Sequence, residues 1–99
     1  MIGRRPRFAA VVSRQLDVFA EDEAHGLLAD VRDMKSRYDA AGRDEAEEAY
    51  GDYADAVDGV KDALAEMRDR YARTLDAGVV DEYAAVFEQA AMKRWRWLA

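Results

Sequence analysis

Ala46, Tyr50, Tyr53, Val57, Val60, Leu64, Met67, Tyr71 and then Thr74 or Leu75 follow one another at intervals of four and three residues. An α-helix turns once in about 3.6 residues, so this alternation holds the side chains on one narrow stripe; a strand would deal them to both faces. Glu48, Asp52, Asp55, Asp62, Glu66 and Asp69 keep the same period on the opposite side. The spacing therefore predicts a helix over 44–77 with a heptad seam on one edge and acids on the other. Gly51 and Gly59 fall on the outer face, where each costs up to about 1 kcal/mol relative to Ala. A rod with one apolar edge needs a neighbour to cover it.

The upstream residues supply that neighbour. Phe8, Val12, Leu16, Phe19, Leu27, Val31, Met34 and Tyr38 also recur every three or four positions, apart from one gap bridged by Ala20 and Ala24. This predicts a helix over 8–41. Pro6 suits a position just ahead of it, and Gly42 suits a left-handed C-cap after Ala40 and Ala41. Asp44 with Glu47 loosely imitates a capping box for the next helix. Past Gly78, Val80, Tyr83, Ala84, Phe87, Ala90 or Ala91, Trp95 and Leu98 mark a third helix over 80–97.

A short bend at Gly42 makes the first two helices antiparallel. Facing residues should then have numbers with a constant sum. Tyr38/Ala46, Met34/Tyr50, Val31/Tyr53, Leu27/Val57, Ala24/Val60 and Ala20/Leu64 all sum to 84. Leu16/Met67, Val12/Tyr71 and Phe8/Leu75 sum to 83. The expected fold is all-α: an antiparallel helical hairpin of two long helices with a shorter third, in one domain over 8–99 behind a basic leader, residues 1–7. Two helices of about 50 Å and a third of about 30 Å leave an apolar flank uncovered. Self-association into a homodimer or four-helix bundle would close it.

Composition narrows the functions. Ninety-nine residues without Cys or Asn, with His25 as the lone His, exclude disulfides, thiol nucleophiles and Cys-based zinc sites. No apolar run approaches the 18 or so residues of a membrane span. Arg4, Arg5 and Arg7 resemble the start of a signal peptide, yet the apolar stretch Phe8 to Val12 is too short for one. A cytoplasmic protein without a membrane span is the expectation. The net charge of −6 argues against direct nucleic-acid binding, since such a surface repels phosphates. Charge is also uneven: residues 15–92 hold all twenty-one acids and eight bases, between an N-terminal stretch and a C-terminus that are purely basic.

Three groups of residues are candidate sites. Lys93, Arg94, Trp95, Arg96 and Trp97 alternate cations with indoles, chemistry that suits a membrane interface, single-stranded nucleic acid or an acidic apolar groove on a partner protein. Alternatively, Trp95 and Leu98 close the hairpin core while the bases complement the helix C-terminus. Trp95 and Trp97 cannot share one helical face, so at least one indole should be partly exposed. The acidic face Glu48, Asp52, Asp55, Asp62, Glu66 and Asp69 reads as a solvated surface, a docking face for a basic partner, or a mimic of phosphate spacing. Asp22 and His25 at i and i+3, beside Glu23, resemble half of a di-iron carboxylate motif. Every seam position from Tyr50 to Tyr71 is apolar or aromatic, so the second half is missing and no metal or other cofactor is expected. The five tyrosines, Tyr38, Tyr50, Tyr53, Tyr71 and Tyr83, read as core residues with wet hydroxyls.

The chain is similar to the hairpin proteins exported by type VII secretion in length and helicity alone. Its turn is Ala41-Gly42-Arg43 without their Trp-x-Gly, and no Tyr precedes an acid by four residues. No family is assigned on that basis. The expected function is a small, acidic, non-enzymatic helical protein–protein interaction module that forms a homodimer. Its alternatives are an acidic inhibitor that mimics nucleic acid and a ferritin-like carboxylate metal site formed on dimerisation.

Overall fold

The computed structural model describes residues 7–99. Four helices are present: α1 (Ala9–Asp22), α2 (Leu27–Ala40), α3 (Ala46–Ala72) and α4 (Val80–Arg94). Single 3₁₀ turns span Ala77–Val79 and Arg96–Leu98. No strand occurs among the described residues. The basic leader, Arg7 apart, lies outside the described residues, as does the placement of Pro6.

The expected helix over 8–41 is two helices. Between Phe19 and Leu27 the stripe offers only Ala20 and Ala24, too little buried area to offset the cost of Gly26 in a helix interior. Glu23 manages the break. Its N–H donates to the Phe19 carbonyl at 2.9 Å, and its own carbonyl accepts from Gly26 and Leu28 at 3.2 and 3.0 Å. Its carboxylate accepts from the Leu27 N–H at 3.2 Å, capping α2. A Cβ on residue 26 would stand 2.8 Å from that carboxylate oxygen, which is why glycine fits here.

At the other end of α2 the helix stops at Ala40, with Ala41 extended (φ −69°, ψ 138°). Gly42 is not left-handed, and α3 starts after Glu45 without a side-chain cap, so neither the glycine cap nor the Asp44/Glu47 box forms. The chain instead reverses over the five residues 41–45. This wider turn displaces the pairing: Tyr38 meets Tyr50 and Tyr53 rather than Ala46, Arg37 pairs with Asp52 at 3.6 Å, and Leu27 lies beside Gly59.

α1 also departs from the expected register. Freed by the break, it lies closest to α4 rather than along α3. Phe8 meets the Tyr83 ring edge-on at 5.5 Å and Phe19 meets Trp95 at 5.7 Å. The Phe8 backbone is left-handed (φ 73°), a conformation costing roughly 1–2 kcal/mol for a residue with a Cβ, held by that ring contact. Val12, Leu16 and Phe19 from α1, Val60 and Leu64 from α3, and Tyr83, Phe87 and Ala91 from α4 form one buried cluster. Arg68 donates to Glu88 at 2.7 Å across α3 and α4, and Arg94 reaches Asp17 across α4 and α1.

α3 ends at Ala72, five residues early, where the Thr74 hydroxyl donates to the Tyr71 carbonyl at 2.7 Å. α4 ends at Arg94 instead of 97, and extended Trp95 (ψ 92°) lets the chain fold back, burying Leu98. The molecule measures 52 × 33 × 21 Å with a radius of gyration of 16.2 Å. A ball of this length would have about 12.6 Å. The elongation matches the packing: α2 lies mainly against α3 and is exposed throughout residues 35–40, so the outer halves of α2 and α3 form a two-helix arm beside the body of α1, α4 and the rest of α3.

Candidate functional site

The arm and its root carry the most unusual surface. Along α2 every residue from 35 to 40 is exposed, because α1 and α4 end before reaching them. Val57 is buried, as a seam position should be, but towards the turn the buried residue is Ala49, which the seam did not include, while Ala46 is only half-buried. Tyr50, at the same seam, is 54% exposed, and Tyr38 is 36% exposed. The expectation that both sit in the core is thus corrected: periodicity groups them on one face, but no third element among the described residues covers that face. Tyr38 lies 5.4 Å from Tyr50 edge-on and 6.4 Å from Tyr53 with the rings stacked, so the three phenols form one cluster.

At the root of the arm that cluster runs into a groove of about 410 Å³ lined by Leu28, Val31, Arg32, Lys35, Tyr53, Trp95 and Trp97. The fold-back after Arg94 brings both indoles here, each half-buried. The expectation of a partly exposed indole holds for both, though through a broken helix rather than two helical faces. Trp95 is wedged against Phe19 on one side, and the Arg94 guanidinium lies 5.3 Å from its ring centroid. Lys35 bonds Asp39 at 2.7 Å, a contact that strengthens its hold on its proton; Arg32 sits 3.6 Å from neighbouring Asp33.

The other candidate residues are dispersed. Lys93 and Arg96 are exposed. On the acidic face Asp52 faces Arg37, Glu66 lies 3.4 Å from Arg70, and Asp69 accepts from Arg68 at 2.9 Å, which holds the Asp69 carboxyl below its ordinary range. Glu48, Asp55 and Asp62 are exposed. Cations thus interleave with the acids of this stripe. Asp22 closes α1 and His25 sits in the turn after it, so the two do not have the helical i, i+3 geometry expected of them. Glu23 is occupied as the cap of α2. Among the described residues no three His, Asp or Glu side chains gather as a metal site would require.

Tyr83 is the buried tyrosine, fully enclosed and without the wet hydroxyl expected of it. Its O–H donates to Gln15 Oε1 at 2.9 Å, and burial raises its pKa above the ordinary 10.0. No helix among the described residues is long and apolar enough to cross a membrane. The sequence reading missed Arg32, Lys35 and Leu28 as part of any site. The available signal was the brevity of the third helix, which left the middle of α2 without a cover. Comparison of the chain with protein-family models, with curated proteins and with solved structures finds no match.

Proposed function

We propose that the chain is a non-enzymatic, acidic helical interaction module that forms a homodimer through its two-helix arm. The observation carrying this reading is the Tyr38–Tyr50–Tyr53 cluster, held on a two-helix layer that no other element among the described residues covers. Aromatic side chains bury large areas at little conformational cost and are the usual anchors of protein interfaces. Two such arms laid face to face make a four-helix bundle, the simplest closed arrangement for a self-complementary surface. The interleaved Arg37, Arg68 and Arg70 on the acidic face favour this reading over nucleic-acid mimicry, which needs an unbroken run of negative charge.

Light scattering on the size-exclusion peak tests the reading. The full chain is expected at twice its 11.2 kDa, falling to one chain when Tyr38→Glu and Tyr50→Glu place charges in the interface. A wild-type monomer at every accessible concentration contradicts it, as does a dimer indifferent to both substitutions. Removing residues 93–99 is a poor test of the dimer, because Leu98 and the indoles belong to the packed body.

A further inference from the structure

We infer that the groove at the root of the arm binds a short acidic peptide segment of another protein, one that carries a leucine or aromatic anchor. This rests on the reading of the chain as an interaction module but not on its dimer. The charge around the groove decides the occupant. In a protein of net charge −6, the residues lining this groove include two cations, Arg32 and Lys35, and no carboxylate. Their acidic neighbours Asp33 and Asp39 are exposed and belong to the same helix; such pairs contribute little and exchange readily for a better-placed carboxylate.

The floor explains the anchor. Leu28, Val31, Tyr53, Trp95 and Trp97 offer apolar and aromatic surface in a concave site. Trp95 is already immobilised by Phe19 behind it and Arg94 over it, so little side-chain freedom remains to be lost on binding. An apolar anchor on this floor, with flanking carboxylates on Arg32 and Lys35, satisfies both parts of the lining. A basic peptide would meet the two cations, and an uncharged one would leave them without new partners.

The test is selection from a display library of short random peptides on the full-length protein, followed by titration of the synthesised consensus peptide against tryptophan fluorescence. Enriched sequences should combine several Asp or Glu with Leu, Phe or Trp. Arg32→Glu with Lys35→Glu, both exposed and indifferent to folding, should weaken binding about tenfold or more, and added salt should weaken it further. Trp97→Ala should weaken it at least as much, with circular dichroism confirming the fold. No enrichment, enrichment without acids, or affinity unchanged by the charge reversals overturns the inference. So does a loss of dimer mass on charge reversal or on peptide addition, which would make a second copy the occupant. The same titration on the Tyr38→Glu, Tyr50→Glu protein separates the two readings: if the dimer fails alone the peptide still binds, and if the groove fails alone the mass is unchanged.

Discussion

Tyr83 and Tyr50 occupy equivalent apolar positions on their helices, yet the first is 0% exposed and the second 54%. Tyr83 sits in the body, where α1, α3 and α4 surround it with Phe8, Tyr71 and Phe87 and supply Gln15 for its hydroxyl. Tyr50 sits in the arm, where among the described helices α2 is the one packed beside it. The contrast separates two determinants that periodicity merges. Sequence spacing decides which side chains share a face, and the length of the next element decides whether that face meets protein or water. In the body the hydrophobic effect acts within the chain; in the arm the same type of surface meets water.

Truncations should expose the difference most strongly. Phe87→Ala and Leu64→Ala, in the body, should each lower the unfolding free energy by about 3–5 kcal/mol in urea titrations. A loss under about 1 kcal/mol at both sites would mean that the body is not the stabilised region. Next in size, Tyr83→Phe should cost about 1 kcal/mol by removing the bond to Gln15. Its pH dependence has a definite sign. Burial makes the folded protein hold the phenolic proton more tightly than the unfolded chain does. Tyr83 therefore favours folding below pH 10 or so, and this contribution falls as pH rises through and beyond that value. Tyr83→Phe should flatten the alkaline slope of stability, and an unaltered slope would contradict the burial.

The joint between body and arm should respond less. In Gly26→Ala the new Cβ pushes the Glu23 carboxylate from the Leu27 N–H, for an expected loss of about 0.5–1 kcal/mol. Faster hydrogen exchange at Leu27, relative to Val60, would report the lost cap. The smallest effect on chain stability belongs to Tyr50→Ala, within about 0.5 kcal/mol when measured on monomer. A loss as large as that at Phe87 would erase the distinction between the regions.

Much of this arrangement was legible in advance. Val57, Val60 and Leu64 are buried, as the heptad seam required, and the four-three spacing from Ala46 to Tyr71 is one helix almost throughout. The break at Glu23–Gly26 was visible as a lapse in the apolar stripe together with the helix-disfavouring Gly26. Ala20 and Ala24 are compatible with a helix, and the decisive contact, a carboxylate capping the next helix, depends on the break already existing. The fold-back at Trp95 had no glycine or proline to mark it; it buries Leu98 while half-burying both indoles. Arg32 and Lys35 resemble any solvated helix face until the C-terminal turn places Trp95 and Trp97 beside them. Local periodicity carries the elements, whereas the candidate site arises from their lengths and ends.

Hydrogen exchange of the full chain at two protein concentrations, one well above and one well below the dimer midpoint, tests the arm most directly. The account predicts that amides of residues 34–40 and 46–53 exchange more slowly at the higher concentration, while those around Val60, Leu64 and Phe87 are unchanged. Exchange independent of concentration throughout, or slowing confined to the body, would contradict the assignment of the arm as the surface that a second copy covers.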